Sequence, residues 1–233
     1  MQRTVFNNCC LSEPKRLSPG ITVCPFRATM NKTKHRYDRI ARYYDILEAP
    51  MELFFSKWRR EFLSKTTGST LEVGIGTGKS IPFYPENVDL TGIDISSKMV
   101  EITRKRLRKH PRPNTRVIQM DAEEMEFADN TFDTVVTACV FCSVPNPVQG
   151  LKEIKRVCRN GGRVLMLEHV RSQKKLMGRT MDIMNPLPLH IIGDNINRRT
   201  YENLLKAGFN PEQIEVKNLW LDIVKLFHIS NSN

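Results

Sequence analysis

The run Leu71-Glu72-Val73-Gly74-Ile75-Gly76-Thr77-Gly78 constrains the fold more than any other stretch, because it reads as a buried strand entering a glycine-rich turn. Glycines at 74, 76 and 78 allow positive φ and let a ligand approach the backbone without meeting a Cβ. A flat or elongated ligand across the strand end is implied. The phosphate-binding dinucleotide fingerprint would need its third glycine at 79, where this chain has Lys79, so a nicotinamide oxidoreductase is the weakest reading. A tight βα connection without a ligand is the plain structural alternative.

The segments that follow keep a strand and helix rhythm. Strands are expected at Asp89–Asp94, Arg116–Met120, Phe132–Ala138 and Arg163–Glu168, the last entered through Gly161-Gly162. Helices are expected over Lys98–Lys109, with Ser96 as N-cap, and over Val148–Cys158. This alternation predicts a parallel sheet with helices on both faces, which binds ligands at the carboxyl ends of its strands. The acidic residues there are therefore informative: Asp94 lies 20 positions past Gly74, where a carboxylate can accept two ribose hydroxyls, and Asp121 with Ala122 lies where an adenine edge can be read.

Upstream, Tyr37, Ile40, Ala41 and Tyr44 share one helix face, and apolar spacing continues through a second helix placed after Pro50. These helices, at about 36–64, pack on the sheet or form a lid over the ligand. Residues 1–30 lack periodicity and read as a basic, disordered tail: an organelle presequence, a lipid-attracted arm, or an extension before a true start at Met30. Residues 31–233 form the single domain. Past strand five come a Met-rich stretch (Leu176–Met184), a proline-containing segment (Asn185–Gly193), a helix over Arg199–Ala207 ending at Gly208, and closing strands at Glu212–Val216 and Leu219–Ile229.

Charge and cysteine usage narrow the partners. Residues 1–36 hold +6 of the formal net charge of +11. Two further basic clusters, Lys98/Arg104/Lys105/Arg106/Arg108/Lys109 and Arg171/Lys174/Lys175/Arg179, read first as solvated helix faces and otherwise as meeting anionic lipid headgroups or an acidic substrate. Nucleic acid is not expected, since aromatic residues are not interleaved with these charges. No run reaches the roughly 18 apolar residues of a membrane span. Six cysteines make no disulfide framework, and Cys139-Val140-Phe141-Cys142 has half a zinc site's spacing without the other half, so no metal is expected. A cytoplasmic location follows, peripheral to a membrane, with mitochondria as the alternative if residues 1–30 are a presequence.

With Glu72-Val73-Gly74-Ile75-Gly76-Thr77-Gly78, Asp94, Asp121-Ala122 and Phe132-Asp133 in that order, the chain resembles the class I S-adenosylmethionine-dependent methyltransferases over about residues 36–217. The resemblance implies a Rossmann-like α/β fold whose mostly parallel sheet has seven strands, the last antiparallel. It implies that Gly74, Gly76 and Gly78 pass beneath the methionine part of S-adenosylmethionine, that Asp94 takes the ribose hydroxyls, that Asp121 and Ala122 reach the adenine, and that Ile95 and Met99 pack on it. Thr137 joins this cofactor set. Tyr37-Asp38-Arg39-Ile40-Ala41-Arg42-Tyr43-Tyr44-Asp45 looks like the opening helix of the quinone-biosynthesis C-methyltransferases, with Tyr37 and Tyr44 closing over the cofactor. Val140-Phe141-Cys142-Ser143-Val144-Pro145 and Leu167-Glu168-His169-Val170 are similar to phospholipid N-methyltransferases and microsomal thiol methyltransferases.

Methyl transfer from a sulfonium needs a nucleophile held in line, so positioning matters most and a base is optional. His169, His190 and Asp194 are the candidate bases, and Cys142 packs beside the pocket. The expected acceptor is amphiphilic or lipid-like, either a phospholipid amine or a prenylated quinone ring. A small thiol or other soluble metabolite is the alternative, and a cofactor-binding partner without turnover is the reading from another class.

Overall fold

The computed structural model describes residues 25–191 and 193–232, with side chains for all of these except 25–31, 50–54 and 191. The expected tail falls outside the described residues as far as 24, and its last residues belong to helix α1 (Pro25–Ile40). Helix α2 (Tyr44–Leu63) follows a short turn. It begins six residues before Pro50, not after it, because the turn at 41–43 starts the new helix.

Then come β1 (Ser69–Val73), β2 (Asp89–Asp94), α3 (Ser97–Lys109), β3 (Thr115–Gln119), β4 (Phe132–Ala138), α4 (Pro147–Val157) and β5 (Cys158–His169). Ser96 caps α3 by accepting the Met99 amide, as its residue type predicts. Strand β5 starts at Cys158, earlier than its glycines suggest, because Gly161-Gly162 form a bulge inside the strand. Phe132 pairs with Cys158 and Thr134 already with Arg163, and Gly161 has φ +75°. The chain closes with α5 (Lys175–Met184), α6 (Pro186–Ile191), α7 (Thr200–Lys206), β6 (Ile214–Trp220) and β7 (Val224–Asn231). The second closing strand starts at Val224 and not at Leu219, since Leu221 and Asp222 take positive φ in the turn between them.

The seven strands form one sheet in the order β3-β2-β1-β4-β5-β7-β6. Strands β1 to β5 pair in parallel, and β7 runs antiparallel to both β5 and β6. Inward residues alternate between two cores. Val135, Val164 and Met166 pack with Leu151, Ile154 and Leu204 of α4 and α7, while Val136, Leu165 and Leu167 pack with Phe55, Phe62 and Val100 of α2 and α3. Burial on both faces explains why β4 and β5 read as near-continuous apolar runs. The strand order reverses between β1 and β4, which opens a crevice at their carboxyl ends.

Candidate active site

A cleft of about 710 Å³, including space open to solvent, lies at that crevice. Each wall comes from the residues just beyond a strand: Gly74 and Gly76 after β1, Asp94 and Ile95 with Met99 at β2 and α3, Asp121, Ala122 and Glu123 after β3, and Cys139 and Val140 after β4. Tyr37 of α1 and Tyr44 of α2 complete it, their ring centroids 6.2 Å apart. Gly78 and Thr137 do not line it. A Cβ on Gly78 would meet Thr103 and Ile81, so this glycine allows the turn to pack on α3. Thr137 is fully buried and donates to Glu168 Oε1 at 2.7 Å, because its position on β4 faces the sheet interior.

Gly74 and Gly76 do different work. Both have positive φ, but a Cβ on Gly74 would lie 2.4 Å from Val140 Cγ2, whereas one on Gly76 would meet nothing within 4 Å. Gly74→Ala is expected to cost roughly 2–3 kcal/mol, lowering the melting midpoint by roughly 5–10 °C. Gly76→Ala should cost only about 1 kcal/mol in stability yet weaken cofactor binding more than Gly74→Ala weakens it per unit of stability lost. Thermal melts and calorimetric titration of both variants check this contrast.

Asp94 accepts the Gly76 amide at 2.9 Å on Oδ2 and the Ser96 amide at 2.8 Å on Oδ1, leaving each oxygen a further lone pair. Burial raises its pKa to about 6, against the pull of those two amides, and nearby Asp38 adds to the rise. Asp121 accepts the Glu123 amide on Oδ1, and Glu123 Oε1 accepts the Asn146 amide. Asp121 Oδ2 and Glu123 Oε2 are buried without a partner. Two orphaned acceptors at one end of the cleft fit a ligand that brings its own hydrogens, as an exocyclic amine does. Burial lifts Glu123 to about 7.

At Gly74 and Gly76 the cleft continues into a smaller pocket lined by Glu48, Arg59, Glu72 and Lys79. Glu72 is buried, accepts Ser80 Oγ at 2.7 Å, and is raised to about 7 by desolvation. Both signs of charge in one pocket fit a zwitterionic amino-acid group.

Helices α1 and α2 are tied to the floor of the cleft by a repeated Tyr-Asp dipeptide. Each tyrosine lines the cleft and each aspartate holds the floor. Asp38 accepts Ser96 Oγ at 2.6 Å and the Lys98 amide at 3.3 Å, at the N-terminus of α3. Asp45 accepts Thr77 Oγ1 at 2.6 Å and Arg106 at 2.8 Å.

The three proposed bases separate. His190 is exposed, its Nδ1 lies 2.8 Å from the Pro186 carbonyl of its own helix, and it lines no part of the cleft. Asp194 and His169 lie one layer behind the wall. Tyr37 donates to Asp194 Oδ1 at 2.9 Å, its oxygen is 2.6 Å from Ser143 Oγ, and Ser143 also donates to Asp194. His169 is mostly buried, which holds its pKa below the usual imidazole value despite Asp194 nearby and a hydrogen bond to the Ile196 backbone. Tyr37 is pushed well above the usual phenol range by burial and then by Asp194, so it stays protonated.

Glu168 escaped the sequence reading as a site residue. It is fully buried and accepts Thr137 Oγ1, the Val140 amide and the Phe141 amide, so it shapes the loop that carries Val140 and Ser143. Arg198 supports the same loop through the carbonyls of Phe141 and Val144. A glutamate directly after the apolar run Val164–Leu167, still within a strand, was the available signal. Cys139, with φ 55°, and Cys142 have thiols pushed upward, chiefly by burial, so neither is an ionised nucleophile. Among the described residues, no group of three or more His, Cys, Asp or Glu could hold a metal ion.

A switch-point cleft with a glycine turn after β1, a carboxylate at the end of β2 and an acidic pair after β3 is the arrangement of a Rossmann-like ligand-binding sheet. Residues 71–166 match the family described as a methyltransferase domain. The chain is 30% identical over 170 residues to the thiol S-methyltransferase TMT1B of Homo sapiens, covering 67% of this chain and 69% of that one. It belongs to the S-adenosylmethionine-dependent methyltransferases. It is also 43% identical over 108 residues to a phosphatidylethanolamine N-methyltransferase of Cereibacter sphaeroides, a match spanning 46% of this chain and about half, 53%, of that enzyme. The fold superposes on an S-adenosylmethionine-dependent methyltransferase of Thermotoga maritima with a TM-score of 0.66 at 19% identity, covering 85% of this chain and 99% of that one.

Proposed function

We propose that the protein transfers a methyl group from S-adenosylmethionine to the amine headgroup of an amphiphilic lipid. The observation that carries this reading is the Tyr37–Ser143–Asp194 cluster beside Tyr44, an aromatic and acidic wall at one side of the cleft. Tyrosine faces backed by a carboxylate favour a substituted ammonium, which gains cation–π and Coulomb attraction. The 43% identity to a phosphatidylethanolamine N-methyltransferase supports the same acceptor class.

In this reading Asp94 holds the ribose hydroxyls, Asp121 and Glu123 accept from the adenine amine, and Ile95 and Met99 pack on the ring. Gly74 and Gly76 lie under the methionine part, whose charged end takes the pocket of Glu48, Arg59, Glu72 and Lys79. When bound, S-adenosylmethionine supplies an electrophilic methyl on a sulfonium. Tyr37 and Tyr44 orient the acceptor and exclude water. The attacking nitrogen must carry a lone pair, so its proton has to leave. The Tyr37 hydroxyl, bonded to Asp194, starts a route for it, with the neutral His169 near Asp194 behind.

A thiol acceptor is the second reading, favoured by the identity to a thiol methyltransferase. Against it, burial raises the thiols of Cys139 and Cys142, with Asp194 adding to the rise, and the same desolvation opposes a substrate thiolate. Labelled methyl transfer into fractionated lipid extract discriminates. Label is expected in amine-headgroup phospholipids, and Asp194→Asn is expected to lower kcat roughly 10- to 100-fold while cofactor affinity holds. Label confined to prenylated quinones would move the acceptor to a ring carbon. Label only in thiols or other water-soluble molecules would defeat the lipid reading.

A further inference from the structure

Helix α5 is apolar on two sides but packed on one. Gly178 and Met181 are buried, while Leu176 is 82% and Ile183 80% exposed on the outward face. Met184 and, on α6, Leu187 extend that face and are also exposed. A single apolar stripe is enough to pack a surface helix, so a second one is left for another contact. Exposed Lys174, Lys175 and Arg179 stand among these apolar side chains. Their long stems can lie along an apolar layer while the charges reach its polar boundary.

This surface adjoins the cleft. The chain leaving α6 reaches Asp194, which holds Tyr37 in the cleft wall. Tyr37 packs near Tyr44, and just beyond Tyr44 the side chains of Ile46 and Leu47 are exposed as well. The basic residues of α3 are a poorer docking surface, because Arg104 is committed to the Val117 carbonyl, Arg106 to Asp45, and Lys98 and Lys105 to Glu101. Among the described residues no helix is long and apolar enough to cross a membrane.

We propose that the outward faces of α5 and α6, with the exposed Ile46 and Leu47 just beyond Tyr44, seat in the headgroup and upper acyl layer of an anionic bilayer. Lys174, Lys175 and Arg179 then meet the anionic headgroups, and the cleft mouth is held at the depth where a lipid amine lies. The inference deepens the lipid-acceptor reading and rests on it.

Sedimentation of the full chain with vesicles of phosphatidylcholine plus phosphatidylglycerol, without cofactor, tests it. Binding is expected to exceed that to phosphatidylcholine alone and to weaken with added salt. The double variant L176E/I183E is expected to bind at least about tenfold more weakly, with unchanged melting midpoint and cofactor affinity. Neutralising K174Q/K175Q/R179Q should remove the preference for anionic vesicles. Absence of wild-type binding overturns the inference, as does undiminished binding by L176E/I183E, which would move the contact to another segment such as residues 1–24. A wild-type dimer in solution that I183E dissolves also overturns it, assigning the face to a second copy. Transfer to detergent-dispersed lipid separates the two readings. Transfer there without vesicle binding defeats the docking surface alone, and vesicle binding with no lipid methylated defeats the acceptor alone.

Discussion

Asp94→Ala is expected to lower the affinity for S-adenosylmethionine by at least about a hundredfold, since the two charge-assisted hydrogen bonds to ribose proposed for it would each be worth about 1.5–3 kcal/mol. The substitution also strips the Gly76 and Ser96 amides of their acceptor, loosening the glycine turn and the start of α3 together. Binding of the wild-type protein should depend on pH through the same group. The carboxylate is the form that accepts ribose hydroxyls, and its pKa in the free protein is raised to about 6. Affinity should therefore be flat above neutrality and fall as pH drops through about 6, approaching tenfold per unit below it. Calorimetric titrations across this range read both effects. A hundredfold loss in Asp94→Ala with no pH dependence in the wild type would place the ribose elsewhere and leave Asp94 as a turn residue.

Glu168→Ala should be the most destabilising single change near the site. It leaves the Thr137 hydroxyl and the Val140 and Phe141 amides without their acceptor in a sealed interior, at a cost of roughly 3–5 kcal/mol, or roughly 10–15 °C in melting midpoint. The wild-type group has a pH signature of the opposite kind from a salt-bridged carboxylate. Burial raises Glu168 to about 7 in the folded protein, so the folded state holds a proton that the unfolded chain releases near pH 4.5. Its contribution is complete below the unfolded value and is lost as pH rises through about 7. Glu72, also raised to about 7 by burial, acts in the same direction. Ligand-free stability should decline between about pH 5 and 7.5, and Glu168→Gln should flatten that decline. Denaturant midpoints at constant ionic strength measure the slope, and a rising slope would mean that both carboxyls are ionised in the fold.

These two carboxyls were unequally legible. Asp94 stands at a strand end, twenty positions past Gly74, and strand ends are where such sheets present ligands. Glu168 sits at the end of an apolar strand and serves a loop 27 and 28 positions upstream, at Phe141 and Val140, a relation that no local pattern records. His190 shows the converse. A histidine in a proline-containing segment reads as a candidate base, yet the chain turns into a short helix there and its ring is spent on the Pro186 carbonyl. Thr137 shows the limit of period-two reasoning, since adjacent positions on a strand buried on both faces differ in which core they meet.

Sequence alone determined the sheet, the cofactor turn and the acidic residues at strands two and three, because periodicity, glycine chemistry and strand-end placement are local properties carried by neighbouring residues. The tertiary structure decided everything that joins distant segments: that Tyr37 meets Ser143 and Asp194, that Asp38 and Asp45 tie α1 and α2 to α3 and the glycine turn, and that α5 leaves one apolar face uncovered among the described residues. Those contacts depend on how the crossovers pack around the sheet. Sequence separations of 106 and 157 residues between Tyr37 and its partners are closed only once the whole core has formed.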